Sequence, residues 1–528
     1  MAQREPARTT EAPSRPKPHP ARKLLRQSTL LLVGRILSKL GNFATQILIV
    51  RYLSQSTYGG FAYALTIATV LQNLVGLGLE RSVTRFLPIY QERGDIPRLF
   101  GTIAMTLLTI VSLGLVSAGV LFGLQGVFTR WIPNPETTLP LLLILIFLAP
   151  LQAIDDMLVG TFAVFAKARS IFVRRFLLAP VLRLLVASAM VLGKGDVLLL
   201  AIGYVASSLL GVAIYGLLLV RVLRQEGLLA AWRDRALRMP WKEVLGFTLP
   251  LLTTDLTYAA MTTLSVVLLG HLWNTTAVAS LTAVLPAARM NELVMNTFGI
   301  LFVPLAARMF ANEDRPGINA LYWRTSMWIA IFTFPVFAFT FSLAEPLTVL
   351  LFGERYASSA PILAILAAGC YFNASLGFNG LTLKVFGSVR SLVLINLATI
   401  AASVVLSAFL IPSLGPLGAA VSITAALVLY NVLKQLGLKR TGVRLFEPRY
   451  LRVYAGIVLC ASGLLAISAI LDPPVYVTAA LALLATWLLV RWNAELLELR
   501  DTFPEVLKLP GMGLLLPRRD LRPGEARG

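Results

Sequence analysis

Apolar runs long enough to cross a membrane recur along the whole chain. Runs without Asp, Glu, Lys or Arg lie between Arg98 and Arg130, Asp196 and Arg221, Asp255 and Arg289, Arg355 and Lys384, and Arg390 and Lys434, the last with room for two spans. A membrane-spanning helix needs about 20 apolar residues, so each run can hold at least one span. The pattern predicts an all-α integral membrane protein of about 14 spans, at residues 28–51, 59–80, 99–123, 139–163, 174–193, 197–220, 246–270, 277–307, 325–343, 358–383, 391–411, 414–433, 453–471 and 475–491.

The composition agrees with a membrane protein and excludes a soluble one. Hydrophobic residues make up 57% of the 528 positions and charged residues 14%, against about 25% charged residues in an ordinary soluble domain. The net charge of +21 comes from Lys and Arg in short loops between spans, where topology rules place them. We therefore expect membrane lipids rather than nucleic acid as the surroundings.

The distribution of basic residues predicts the orientation in the membrane. An even number of spans puts both termini on one side, and that side then carries 39 of the 47 Lys and Arg residues, against 4 on the other. Positive residues accumulate on the cytoplasmic side. The chain is predicted to be a multi-pass protein of a bacterial inner membrane with both termini in the cytoplasm.

A weak internal repeat suggests two related halves. One constant shift along the chain superimposes Leu53, Thr57 and Ala64 on Leu272, Thr276 and Ala283. Repeated halves are common in transporters, with the substrate site between them. The predicted organisation is a disordered tail (1–23), a first six-helix lobe (24–222), a basic linker (223–245), a second six-helix lobe (246–434), two further helices (435–493) and a basic tail (494–528).

The motifs of enzymes and metal proteins are missing from the sequence. It contains no Walker A loop, dinucleotide fingerprint, His-Glu-x-x-His or nucleophile elbow, and two His and two Cys leave little material for a metal site. We expect no enzyme activity, cofactor or metal. Gly119 and Gly123 form a Gly-x-x-x-Gly pattern, which is typical of tight helix packing.

Polar residues follow one face of span 1. Arg35, Lys39, Asn42 and Gln46 are spaced by 4, 3 and 4 residues, a helical period. One interpretation is a cationic stripe lining a cavity. In the other, Arg35 and Lys39 extend to the lipid headgroups, although Asn42 and Gln46 are too short to do so.

Further ionisable residues lie at membrane depth, where they are usually functional or paired. In span 8, Arg289, Glu292 and Asn296 share a helical face. This face either lines a cavity, or Arg289 and Glu292 form a local ion pair. Asp255 and Glu292 are candidate sites for a proton or a cation. Alternatively, Asp255 is a counter-ion for Arg289 or Lys39. Arg183 lies near the middle of span 5.

Asp155 and Asp156, near the end of span 4, are interpreted as membrane-interface residues. Taken together, the intramembrane charges favour an anionic substrate, because Arg matches phosphate oxygens well.

Three segments between Leu25 and Tyr90 carry a family resemblance. Gly34-Arg35, Leu53-Ser54-Gln55-Ser56-Thr57-Tyr58-Gly59 and Gly78-Leu79-Glu80-Arg81-Ser82-Val83-Thr84-Arg85-Phe86-Leu87-Pro88 resemble the start of polysaccharide-biosynthesis flippases, which include the O-antigen and exopolysaccharide repeat-unit flippases of the multidrug/oligosaccharidyl-lipid/polysaccharide exporter superfamily.

The resemblance implies two six-helix lobes around a central cavity and two extra helices. It implies alternating-access movement of undecaprenyl-diphosphate-linked oligosaccharide to the periplasmic leaflet. The cavity cations of the family would correspond to Arg35, Lys39 and Arg289, with Arg183 a weaker candidate. A proton, a sodium ion and the polymerase of the same pathway are candidate partners.

Three other functions stay open at this level. A lipid II flippase for peptidoglycan precursors shares the fold and the cationic cavity. A multidrug/cation antiporter of the same superfamily needs a dominant acidic residue, whereas span 1 carries Arg and Lys. A membrane glycosyltransferase or polymerase needs a large exoplasmic loop, and the loops outside the predicted spans are short.

Overall fold

The computed structural model describes residues 20–165, 168–229, 237–471 and 473–497, without the side chains of some helix residues, chiefly in 20–32 and 249–259. The described residues form helices and turns and contain no strand. The predicted tails, 1–23 and 494–528, lie outside the described residues except for four positions at each inner edge.

The first half of the chain forms helices joined by short turns. They are α1 (Pro20–Tyr52), α2 (Gln55–Gly76), α3 (Leu79–Glu92), α4 (Ile96–Gly123), α5 (Gln125–Phe128), α6 (Pro135–Leu145), α7 (Leu148–Val164), α8 (Ala168–Ile171), α9 (Ala179–Leu192) and α10 (Val197–Gln225). A π-helix at Phe172–Leu178 joins α8 to α9.

The second half and the C-terminal segment continue in the same way. Their helices are α11 (Trp241–Leu272), α12 (Thr275–Arg289), α13 (Leu293–Ala311), α14 (Arg315–Ser342), α15 (Ala344–Phe352), α16 (Ala360–Ser375), α17 (Asn379–Val385), α18 (Val389–Leu414), α19 (Pro416–Lys439), α20 (Leu451–Leu471), α21 (Val475–Trp492) and α22 (Ala494–Leu497). Short 3₁₀ turns lie at Met290–Glu292, Glu354–Ser359 and Pro448–Tyr450.

The predicted multi-span, all-α architecture is confirmed. In the described part of the chain, 11 helical segments are long and apolar enough to cross a membrane, and 12 if the bent pair Thr275–Gly299 and Phe302–Ala311 counts as one span. Predicted spans 1 and 7 correspond to α1 and α11, and each of these helices contains residues whose side chains lie outside the description.

The two halves repeat the same helices at the interval of the sequence repeat. The shift that superimposes Leu53 on Leu272 also carries both ends of α4 onto the ends of α14, and the start of α10 onto the start of α19. The N-caps of α4 and α14 are Asp95 and Asp314, whose carboxylates accept hydrogen bonds from the amides of Arg98 and Gly317. Aspartate caps satisfy otherwise unpaired helix N–H groups, so equivalent residues start equivalent helices.

One region of contact between the halves lies at an end of the molecule that we name the closed end (residues 50–59, 131–134, 271–275 and 350–355). Ser56 Oγ lies 2.9 Å from Thr275 Oγ1, and Asn134 Nδ2 donates to Thr275 Oγ1 over 2.9 Å. A Cβ atom on Gly59 would lie 1.8 Å from the Thr275 carbonyl oxygen. Only glycine permits this approach of α2 to the start of α12.

Two arginines link helix ends across the closed end. Arg355 Nη2 donates to the carbonyls of Val50 and Arg51, both at 2.6 Å, where α1 ends. In return, Arg51 Nε donates over 3.0 Å to the carbonyl of Leu351, near the end of α15. Cations at helix C-termini also interact favourably with the helix dipole. Each half therefore caps a helix of the other.

The last two long helices belong to the core of the second half. Val453, Leu464 and Leu489 of α20 and α21 are buried in one cluster with Trp323 and Phe334 of α14. In lipid such packing stabilises through van der Waals contacts rather than through removal of apolar surface from water.

One sequence expectation about packing is wrong. No atom lies within 4 Å of a Cβ built on Gly119 or Gly123. Their pattern on α4 therefore marks no tight helix contact among the described residues.

Candidate functional site

A cavity of about 690 Å³ lies between the two halves, and we name it the central cavity. The first half contributes Gln72, Asn73, Gly76, Gly78, Glu80, Arg81, Ala153 and Asp156, and the second half contributes Leu252, Glu292, Met295, Asn296, Asn373, Gly377, Leu381, Lys384, Tyr430 and Lys434. Its wall is rich in amides and charges, which suits a polar ligand.

The central cavity lies away from the closed end. Gln72 and Ser56 are on the same helix, α2, and the 16 residues between them correspond to about 24 Å at 1.5 Å per residue. The α2–α3 turn at Leu77 and Gly78, where both residues have positive φ, lies at the far end of α2. Contacts between the halves also occur near this far end, where Ser82 Oγ lies against Thr248 Oγ1 and Arg85 lies over the Phe247 ring, 4.2 Å from its centroid. The central cavity therefore lies between two regions in which the halves touch.

A buried carboxylate in the central cavity is held by a chain of amides. Glu292 is 7% exposed, and its Oε1 accepts Asn373 Nδ2 at 2.7 Å. Asn431 Nδ2 donates to Asn373 Oδ1 at 2.8 Å, and Asn379 Nδ2 donates to Asn431 Oδ1 at 3.0 Å. Every amide in this arrangement donates toward Glu292, which matches an ionised carboxylate that only accepts.

Lys39 and Lys434 act on Glu292 from the two halves, and further cations lie near each of these lysines. We name the set the cation cluster: Arg35, Lys39, Arg289, Lys384 and Lys434. Lys39 lies within electrostatic range of Glu292, Arg35 and Arg289. Lys434 lies within range of Glu292 and Lys384. Two of these cations thus act on the carboxylate directly, and the five together form a positive region at the interface between the halves.

The other two acidic residues of the cavity wall are paired locally. Asp156 Oδ1 lies 2.8 Å from Arg175 Nη2, and Glu80 Oε1 lies 3.8 Å from Arg81 Nε. Their charges are largely balanced by these neighbours. The positive sign of the region therefore comes from the cation cluster.

The polar stripe of α1 divides between different surroundings. Arg35 is exposed and Lys39 is half-buried. Asn42 lines a cavity of about 260 Å³ inside the first half, which we name the N-half cavity. Gln46 lines a cavity of about 280 Å³ between α1, α2, α11 and α12, which we name the interlobe cavity. The expectation of a single cavity along the stripe is wrong.

Gln46 also holds three helices together. Its Nε2 donates to Tyr58 Oη at 3.1 Å and to the Thr282 carbonyl at 3.0 Å. Asn42 Nδ2 donates to the carbonyl of Ser38, 2.8 Å away and one turn earlier on α1. These contacts give both amides a structural role.

The predicted helical face of span 8 is interrupted. A 3₁₀ turn at Met290–Glu292 separates α12 from α13, and its 3.0 residues per turn change the direction of the side chains that follow. Arg289 lines the interlobe cavity, whereas Glu292 and the exposed Asn296 line the central cavity. The expected common face is therefore corrected.

Arg183 belongs to an ionic cluster inside the first half rather than to the cation cluster. It lines the N-half cavity, and its guanidinium lies 5.5 Å from the centroid of the Tyr204 ring. In the same region Arg174 Nη2 lies 2.8 Å from Asp155 Oδ1. A Cβ on Gly211 would lie 1.5 Å from Arg174 Nη2, so glycine makes room for this guanidinium.

Two groups of polar residues escaped the sequence-based interpretation. From the sequence, four basic residues are interpreted as residues of cytoplasmic loops: Arg174, Arg175, Lys384 and Lys434. The complementary doublet Asp155-Asp156, one helix earlier, was the available signal for the first group. The pairing itself depends on the π-helix at Phe172–Leu178, a rare element often found at functional sites.

The side chain of Asp255 lies outside the described residues. In the described part of the chain, no group of three or more His, Cys, Asp or Glu side chains could hold a metal ion.

The sequence matches a family of known proteins. The profile of the family described as "Polysaccharide biosynthesis protein" matches residues 24–310, more than half of the chain. A comparison with curated proteins gives no match.

Solved transporter structures share the fold. A lipid II flippase, MurJ, in an inward closed conformation has a TM-score of 0.68 at 14% identity, covering 89% of this chain and 98% of its own. An inward-facing multidrug resistance transporter of the MATE family has a TM-score of 0.60 at 12% identity, with 76% and 94% covered. A MOP-superfamily transporter from Pyrococcus furiosus, with a binding pocket of reversed polarity, has a TM-score of 0.55 at 13% identity, with 80% and 96% covered. At these identities the likeness concerns the fold.

Proposed function

We propose that this chain, which belongs to the polysaccharide biosynthesis protein family, moves polyprenyl-diphosphate-linked oligosaccharide repeat units across the membrane. The observation that carries the proposal is the cation cluster, in which Lys39 and Lys434 act on the buried carboxylate of Glu292 and three further cations lie near these lysines. A diphosphate is the anion that such a lipid presents at membrane depth. Lys and Arg both bind phosphate oxygens strongly.

The roles of the residues follow from their positions. Lys39, Arg35 and Arg289 bind the diphosphate, because Lys39 lies within electrostatic range of the other two. Asn296, which is exposed in the central cavity, offers an amide to sugar hydroxyls, whereas Asn42 and Gln46 shape the other two cavities. Arg183 contributes positive potential from the first half.

The direction of transport follows from the predicted orientation. With both termini in the cytoplasm of a bacterium, the closed end faces the periplasm and the central cavity faces the cytoplasm. The lobes at 24–222 and 246–434, joined by the linker at 223–245, then rock against each other, which opens the closed end and releases the cargo on the periplasmic side. The helices within 435–493 move with the second lobe, because they share its buried core.

The membrane potential favours outward movement of an anion. One charge crossing 100 mV changes the free energy by about 2.3 kcal/mol, so about two negative charges gain about 4–5 kcal/mol when they leave an inside-negative cell. Asp255 and Glu292 are the candidates for additional coupling to protons or sodium ions. Cargo released outside would be consumed by a polymerase of the same pathway.

A lipid II flippase is the second candidate function. Lipid II also presents a diphosphate, and the fold likeness to the lipid II flippase favours this candidate. A cation exporter fits less well, because the cations of the cation cluster outnumber the carboxylate of Glu292 in this region. The O-antigen or exopolysaccharide repeat unit remains the first candidate, since the family is that of polysaccharide biosynthesis.

Complementation tests the proposal. A strain lacking its O-antigen flippase receives wild type, Arg289→Ala or Arg308→Ala at matched expression, and surface glycan is scored; Arg308 is exposed on α13 and serves as the control. We expect wild type and Arg308→Ala to restore the glycan and Arg289→Ala to fail. Restoration by all three would remove Arg289 from the mechanism. Rescue of a lipid II flippase mutant instead would favour the second candidate.

A further inference from the structure

We propose that Lys434 and Lys384 form an oxyanion-binding site in the second half, separate from the α1 stripe and Arg289. The ligand is a phosphate or carboxylate group of the cargo, so the inference rests on the proposed function. Both lysines line the central cavity. They come from different helices, α19 and α17.

Lys434 is buried without an ion-pair partner among the described residues. Its side chain is 8% exposed, and its Nζ lies 3.3 Å from the centroid of the Tyr430 ring. Lysine is almost never buried without a partner, and the loss of water is only partly offset by an aromatic ring. A buried ammonium that lines a cavity therefore favours an anionic ligand.

The charges around Lys434 leave the anion site incomplete in the protein itself. Lys384 acts on Lys434 as a like charge, and Glu292 is the carboxylate within electrostatic range. Glu292 also acts on Lys39 and accepts a hydrogen bond from Asn373. Two neighbouring ammonium groups repel each other, and an oxyanion bound between them removes this repulsion.

The position of Lys434 is built into two helices. A Cβ on Gly380 of α17 would lie 3.2 Å from Lys434 Nζ and 3.3 Å from its Cε. The lysine stem therefore runs along Gly380, with the Tyr430 ring against its ammonium group. Such a preformed donor loses little entropy on binding. Each lysine offers three N–H donors, which suits a tetrahedral phosphate or a carboxylate.

Two sources of the oxyanion are compatible with this chemistry. One is the diphosphate, shared between the two halves when the cargo enters the central cavity. The other is an acidic substituent of the glycan, such as the carboxylate of a uronic acid. The two sources are separated by probes that carry only one of the groups.

Binding to the purified full-length protein in lipid nanodiscs tests the inference. The probes are polyprenyl diphosphate without sugar and a soluble disaccharide that contains glucuronic acid. The variants are Lys434→Gln, Lys384→Gln and Lys439→Gln; Lys384 is exposed, so its variant keeps the fold, and Lys439 is an exposed control on α19. Gly380→Ala displaces the Lys434 ammonium without removing its charge.

We expect Lys434→Gln, Lys384→Gln and Gly380→Ala to weaken binding of at least one probe about tenfold, and Lys439→Gln to leave the affinity unchanged. The probe whose affinity is lowered by these substitutions identifies the source of the oxyanion. Equal affinities of wild type and Lys384→Gln for both probes would overturn this inference alone. Failure of wild type to bind polyprenyl diphosphate would overturn the proposed function as well.

Discussion

Ser56 and Thr275 occupy equivalent positions in the two halves, and their hydroxyl oxygens are 2.9 Å from each other. Residues related by internal symmetry can touch only where the symmetry axis passes between them. The axis that relates the halves therefore passes through the closed end at this contact. Movement of one half against the other must separate or rotate this pair.

A disulfide at this contact should arrest transport. In a background without Cys370 and Cys460, Ser56→Cys and Thr275→Cys bring two sulfurs into the range of disulfide formation. We expect oxidation to stop transport and a reductant to restore it, because the closed end can no longer separate. Cells that carry each single cysteine are the controls. Undiminished transport by the oxidised double variant would show that the closed end stays closed during the cycle.

Removing one of the helix-capping arginines should open the closed end. Arg355→Gln loses the hydrogen bonds to the carbonyls of Val50 and Arg51, each worth about 1.5–3 kcal/mol when the donor is charged. We expect a cysteine introduced at Ser56 to react faster with a membrane-impermeant reagent in this variant. Arg130→Gln, an exposed arginine, provides the control. Equal reaction rates in both variants would contradict a capping role.

The two Arg–Asp pairs of the first half should differ in their contribution to stability. The Arg174 side chain is 5% exposed in its pair with Asp155, whereas Arg175 and Asp156 are 38% and 29% exposed. Breaking a buried pair costs about 3–5 kcal/mol, because it leaves an uncompensated charge, and an exposed pair contributes about 0–1 kcal/mol.

Thermal unfolding in detergent measures this difference. We expect Arg174→Met to lower the melting temperature strongly and Arg175→Met only slightly, with partial recovery in the double variant Arg174→Met/Asp155→Asn. A similar loss for both single variants would show that burial does not distinguish the pairs.

The amide chain to Glu292 should be needed for the stability of the second half. Asn431→Leu removes the donor to Asn373 and the acceptor of Asn379. A buried polar group left without its partner costs about 1–3 kcal/mol, so we expect a lower melting temperature. Asn296→Leu changes an exposed amide of the same cavity and should leave the melting temperature unchanged. An equal effect of the two substitutions would argue against an ordered chain.

Hydrophobic patterning was sufficient for the fold and for most span positions, because lipid requires long uninterrupted apolar helices. The repeat was visible as three identities, and the helices extend it, because Asp95 and Asp314 cap helices that the same shift superimposes. A capping residue acts on the helix that directly follows it in the chain. The repeat of these two caps could therefore have been recognised from the sequence.

The cavities were less accessible to sequence patterns. Periodicity assumes a regular helix, and the 3₁₀ turn at Met290–Glu292 separates Arg289 from Glu292 and Asn296. Lys434 and Lys384 lie near predicted span ends, where lysine is usually a loop or headgroup residue. Their common cavity arises from the packing of α17 and α19, which no single span reveals.

Transport of a labelled polyprenyl-diphosphate oligosaccharide in proteoliposomes tests the central claim most directly. Lipid movement is followed by quenching of the label in the outer leaflet, with an inside-negative potential and with wild type or Lys39→Gln/Arg289→Gln. The account predicts rapid movement with wild type and at least a roughly tenfold lower rate with the double variant. Equal rates for the two proteins, or no movement with wild type, would contradict it.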